Sequence, residues 1–186
     1  LRALPMAATP LSAAFLSRAS AAVRGQAATS ASLEEQLSEL VRKARSEWEP
    51  HPDDEAFLAH RGALLTEQAP LAEALAALHV EDLYLVWRCV KGDAAALERF
   101  DEQVLAKASR AVKRVDPSAT FLDEVRQLLR LKLLFPEEGA PRVLEYAGRG
   151  PLAGWVRAAA VRTALNLSRG KRPEPQDSQL GLLPAA

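Results

Sequence analysis

One cysteine, Cys89, stands in 186 residues, which excludes an internal disulfide and a cysteine-built zinc site. A lone thiol fits a reducing cytosol. The histidines His51, His60 and His79 lie apart, without the spaced partners that metal ligation needs. There is no glycine-rich phosphate loop and no nucleophile elbow, so no catalytic residue, metal or cofactor is expected and an enzyme is disfavoured. No apolar run approaches the roughly 20 residues that span a bilayer, so no membrane is expected among the partners. Net charge is zero, so nothing global announces a polyanionic partner. What remains is ordinary for a globular protein: 48% apolar and 26% charged residues, in a length suited to one well-buried domain with flanking segments.

The charge is unevenly placed. Between Ala31 and Ala56 the acids Glu34, Glu35, Glu39, Glu47, Glu49, Asp53, Asp54 and Glu55 outnumber Arg42, Lys43 and Arg45. Between Pro141 and Arg172 the balance reverses, with Arg142, Arg149, Arg157, Arg162, Arg169, Lys171 and Arg172 against Glu145. Positive charge gathered towards one end points to an anionic partner. Residues 1–31 hold no acid, many Ala and Ser, and Arg2, Arg18 and Arg24. That composition suits a disordered arm, as it would an organellar transit peptide, and a disordered arm is expected. The chain opens on Leu1 rather than Met, so a fragment or a displaced start is expected.

Helical periodicity dominates, and no alternating strand pattern is sustained. The fold expected is all-α: a compact helical bundle over 82–172 preceded by a smaller helical extension over 32–80. The extension opens on a capping box, Ser32 with Glu35, followed by the stripe Leu33, Leu37, Leu40, Val41, Ala44 and Trp48, and ends at Pro50 and Pro52. Short helices are expected around Glu55–Leu65 and Pro70–Leu78. In the bundle a helix over Asp82–Val90 ends at Gly92. Asp93 caps the next helix, with Leu97, Phe100, Val104, Ala108 and Ala111 at helical steps. Ser118 caps a third, with Leu122, Val125, Leu129 and Leu133 on one side. Pro151 opens the last as its first residue, and Gly170 stops it near Arg169. Residues 173–186 read as linker.

The last helix sorts its residues by face. Leu152, Val156, Ala159, Thr163 and Leu167 suit a core, while Trp155, Arg162, Asn166 and Arg169 step along an adjoining side with Arg157 nearby. An aromatic with arginines and an amide can stack on a base and hold phosphates. The preceding loop, Tyr146 to Gly150, adds an aromatic and a cation and is expected to be flexible. The alternative is that Trp155 belongs to the core and the arginines are merely solvated. In the middle helix Asp123, Glu124 and Gln127 share a short arc beside Val125 and Leu128. Carboxylates there also suit the helix dipole.

Leu83–Arg172 resembles region two of the sigma-70 family of RNA polymerase sigma factors, particularly the extracytoplasmic-function group. The resemblance rests on Val90-Lys91-Gly92-Asp93-Ala94-Ala95-Ala96-Leu97 followed by Phe100, and on Asp123-Glu124-Val125-Arg126-Gln127. It continues through Gly150-Pro151-Leu152-Ala153-Gly154-Trp155-Val156-Arg157 to the basic end Arg169-Gly170-Lys171-Arg172. Glu124–Gln127, Gly148–Leu152 and Ala158–Leu167 look closer still to a divergent sigma family of myxobacteria, whose members also carry a helical N-terminal extension. The chain departs from the usual pattern at Val161-Arg162, where Arg-Asn is common, at Asn166, where Asp is common, and at Arg126, which replaces an apolar residue.

The resemblance implies a transcription factor of the bacterial cytoplasm and nucleoid, which binds the polymerase core and opens the promoter −10 element. Asp123, Glu124, Val125, Gln127 and Leu128 would dock on the clamp helices of the polymerase β′ subunit. Arg149, Trp155, Arg157, Arg162, Asn166, Arg169, Lys171 and Arg172 would hold promoter DNA, as the single-stranded non-template −10 strand. An anti-sigma factor is a further expected partner. Region four, the helix-turn-helix of the family, is expected to be missing from this stretch, since too few residues follow Arg172 to build it. A second reading is a sigma-like helical interaction or regulatory module that does not itself initiate transcription. Here the acidic 31–56 segment would fold over the basic last helix and block DNA until polymerase displaces it.

Overall fold

A computed structural model describes residues 10–48, 54–65 and 69–170. Among these every regular element is helical and none is a strand. Helices α1 (Leu11–Leu16) and α2 (Ala21–Ala28) stand where a disordered arm was expected. Two local devices order them. Glu34 accepts the N–H groups of Leu11 and Ser12 at 2.8 and 2.9 Å, satisfying the open end of α1. The Ser20 hydroxyl accepts Val23 N–H at 3.2 Å and caps α2. Ala14, Phe15, Ala19, Val23 and Ala27 are buried. Around Phe15 the small Ala14 and Ala19 suffice because α1 lies directly on α4 (Asp54–Leu64): the Phe15 carbonyl occupies the space a Cβ on Gly62 would need.

In α3 (Leu33–Ala44) the stripe Leu33, Leu37, Leu40, Val41 and Ala44 is buried as its spacing requires. The capping box does not form. Ser32 sits at φ −115° and ψ 13°, away from the extended geometry of a side-chain cap, and its hydroxyl accepts Gln36 Nε2 at 2.9 Å instead. Trp48 is half-buried under two guanidinium groups, Arg88 at 4.6 Å and Arg99 at 5.3 Å from its ring. Pro50 and Pro52, expected to end this helix, lie outside the described residues. After α4 the chain turns through α5 (Leu71–Ala76) into α6 (Val80–Val90).

Helix α6 is buried on most sides, through Val80, Leu83, Tyr84, Leu85, Val86, Arg88 and Cys89. Tyr84 donates to Asp54 Oδ1 at 2.8 Å, and Arg45 pairs with the same carboxylate, so α6 is tied to α4 and to the end of α3. Burial pushes the Cys89 thiol up to about 12, which leaves it unreactive. The expected division between residues 80 and 82 falls within the first turn of α6 and does not divide the core. One apolar cluster runs from Phe15 through Leu37, Phe57 and Tyr84 to Phe100, Val125 and Ala160.

Asp93 caps α7 (Ala94–Arg99), accepting Ala96 N–H at 2.9 Å and pairing with Arg88. The long helix expected from there is interrupted by a π-helical segment, Phe100–Leu105, before α8 (Ala106–Ala111). The wider turn shifts the register, so the neighbours Val104 and Leu105, then Ala108 and Ser109, are all buried. A short 3₁₀ turn, Val112–Arg114, leads on towards α9 (Ala119–Leu134), which Ser118 caps. The final helix, α10 (Leu152–Gly170), packs on α8 and α9. Pro151 sits just before it rather than as its first residue, its carbonyl accepting Gly154 and Trp155 N–H. Leu152, Val156, Ala160, Thr163 and Ala164 are buried in α10, whereas Ala159 and Leu167, expected in the core, are half-buried. Among the described residues no helix is long and apolar enough to cross a membrane.

Candidate nucleic-acid interface

The loop before α10 was expected to be flexible, but it is tied down at several points. Tyr146 is buried, and its hydroxyl donates to Gly150 O at 2.5 Å and lies 3.3 Å from Asp82 Oδ2. Burial, and then the Asp82 charge, push the phenol above its usual range. The same Asp82 oxygen accepts Leu152 N–H at 2.8 Å, so a side chain of α6 caps the start of α10. Arg61, pulled down to about 10 by burial, donates to the Tyr146 carbonyl at 3.4 Å. Gly148 has φ +75°, its carbonyl accepts His79 N–H at 2.9 Å, and a Cβ there would collide with the Leu83 side chain.

This fixed loop and the first turns of α10 enclose an open cavity of about 430 Å³. Tyr146, Arg149, Gly150, Gly154 and Trp155 line it. The Tyr146 ring backs the Trp155 ring with centroids 6.0 Å apart, leaving Trp155, half-buried, as the aromatic wall. Tyr146 is therefore a support and not a second stacking surface. Arg149 is exposed at the cavity rim.

Beyond the cavity, Arg162, Asn166 and Arg169 are exposed at the steps from Trp155 that keep them on its side of α10. Arg157, two residues on, lies about 200° around the helix from Trp155. It faces a different groove, between α10 and α8, with Lys107, Arg110, Lys113 and Arg114. The expected single arginine surface is thus two surfaces. Sequence reasoning missed the four cations of α8 and the 3₁₀ turn, although the run from Ala106 to Val115 holds no acid and could have signalled them. Lys171 and Arg172 lie outside the described residues.

On α9, Asp123 and Gln127 are exposed, and Glu124 and Leu128 are half-buried. Val125 is fully buried, in line with Phe121, Leu129 and Leu133 on the core stripe, and it cannot touch an external partner without unfolding. Arg126 donates to the Asp101 carbonyl at 3.2 Å, and Arg130 pairs with the Asp101 carboxylate, fastening α9 to the π segment. The outward edge continues where the sequence reading stopped. Leu131 is 55% and Phe135 46% exposed, at four-residue steps from Gln127.

Among the described residues the acids of the N-terminal helices do not cover α10; Glu49 and Asp53 lie outside those residues. Glu34 serves α1, Glu39 pairs with Arg42 in its own helix, and Glu47 pairs with Arg99 of α7. Arg157, Arg162 and Arg169 remain exposed, contrary to the blocking fold expected of the regulatory reading. No protein-family model, curated protein or solved structure matches the chain.

Proposed function

We propose that this chain acts as the core-binding and −10-melting part of a bacterial sigma factor, working on the nucleoid in the cytoplasm without catalysing a reaction itself. One observation carries the reading: a rigid loop builds a tryptophan-walled cavity at the head of α10, and the same helix then presents Arg162, Asn166 and Arg169 to solvent. A base extracted from a duplex costs a few kcal/mol of lost stacking and pairing. Stacking on an aromatic wall returns about 1–3 kcal/mol per base. Phosphates of the displaced strand then need cations along its path, which Arg162 and Arg169 supply, with Asn166 able to donate to and accept from a base edge.

Docking on polymerase belongs to the outward edge of α9. Asp123 and Gln127 are the polar contacts, Glu124 lies beside them, and Leu128 with the exposed Leu131 supplies the apolar contact. A polar rim around a small apolar centre is the usual make-up of such interfaces. The test is a pull-down of the full chain with the β′ clamp helices, beside an Asp123→Ala/Gln127→Ala variant. Retention of the parent chain and loss of the variant supports the reading; no retention of a folded parent chain ends it.

A further inference from the structure

The groove between α8 and the first turns of α10 has a volume of about 630 Å³. Lys107, Arg110, Lys113, Arg114 and Arg157 line it, and no carboxylate does. None of the five forms an ion pair among the described residues. An adjoining cavity, which shares Lys107, does hold acids, but these are engaged elsewhere. Glu47 pairs with Arg99, Glu81 with Lys43 at 3.6 Å, and Asp82 caps α10. Five like charges around one concavity repel one another and concentrate anions there, in a chain whose net charge is zero.

The groove also has a neighbour. Gly154 lines it and equally lines the Trp155 cavity, so the two meet over the first turn of α10. A Cβ at Gly154 would meet nothing within 4 Å, which leaves the surface between them open to a passing chain. We propose that a nucleic-acid single strand with a base in the Trp155 cavity runs over Gly154 into this groove. There its phosphates are held by Lys107, Arg110, Lys113, Arg114 and Arg157. The proposal rests on the strand-capture reading above, and adds a second, sequence-independent segment to the bound strand. Contacts of that kind go to phosphate rather than to base edges, so they extend the footprint without adding sequence preference.

The full chain is titrated with a fluorescent oligothymidine of about 20 nucleotides at several salt concentrations. Lys113→Ala/Arg114→Ala is expected to weaken binding about tenfold and to lower the slope of log K against log salt by roughly 1.4, about 0.7 per cation removed. Lys132→Ala, which removes an exposed cation outside the groove, is expected to leave affinity within about twofold. All four side chains of the groove on α8 and its 3₁₀ turn are exposed, so circular dichroism and melting temperature should match the parent. Unchanged affinity and slope in the double variant overturns the proposal, as does tighter binding of a duplex of the same length. The β′ pull-down of the double variant separates the two readings. Retained polymerase binding with weakened oligothymidine binding is expected, whereas retained polymerase binding with unchanged oligothymidine binding overturns the groove alone.

Discussion

Charged side chains between Glu34 and Arg61 close internal bonds. Glu34 caps α1, Arg45 and Tyr84 share Asp54, Glu47 meets Arg99, and Arg61 holds the Tyr146 carbonyl. Along α8 and α10 the arrangement is opposite: Lys107, Arg110, Lys113, Arg114 and Arg157 border a groove without an acid, and Arg162 and Arg169 stand in solvent. Counting residues gave the basic end an anionic partner and set the acidic 31–56 segment over the last helix. Geometry separates them. Charge matched within the chain holds helices together, and charge left unmatched is available to something outside.

That contrast can be broken most severely in the core the N-terminal helices share with α6. Phe57 is fully buried and meets Tyr84 edge-on at 5.3 Å. Phe57→Ala should destabilise the chain by about 4 kcal/mol, with urea unfolding still in one transition. Two separate transitions would mean that the N-terminal helices are an appendage. The basic side is tested by Trp155→Ala, which should cost about 2 kcal/mol of affinity for a −10 single strand. It should leave β′ binding intact, and loss of both together would make Trp155 a packing residue only. The smallest effect concerns His60. Burial, followed by the Arg61 and Arg18 charges, pulls its pKa from 6.5 to about 4. Between those values the unfolded chain takes up a proton that the folded chain refuses, so stability falls as pH drops from 6.5 and levels off below 4. The melting temperature should therefore fall by a few degrees from pH 7 to pH 5, and His60→Gln should remove most of that fall.

Helices with a strong apolar period and a polar cap were legible: α3 by its stripe, α7 by Asp93, α9 by Ser118. Helices α1 and α2 were not, because alanines give little periodic contrast, and the burial of α1 depends on Gly62, more than forty residues away in the chain, admitting the Phe15 backbone. The Ser32 box failed because a compatible sequence does not by itself set φ and ψ. The π segment adds width to one turn under tertiary packing, which no local pattern announces. Of the candidate interface residues, Trp155, Arg162, Asn166 and Arg169 share one side of α10, the arrangement their spacing on one helix predicted. Val125 was set on the apolar stripe by its spacing and on the docking edge by the resemblance, and its burial with Phe121 and Leu129 agrees with the spacing. The groove escaped notice because it joins α8 to Arg157, and sequence shows charge along a chain more readily than charge across two helices.

Asp82 acts across the fold. Its carboxylate grips the first amide of α10 and the Tyr146 hydroxyl from a position 70 residues earlier in the chain. The shape of the tryptophan cavity is thus inherited from α6, whose own seat is set by α3 and α4. In a genetic screen, second-site suppressors of a damaged loop would map to α6 and the N-terminal helices rather than beside the original lesion.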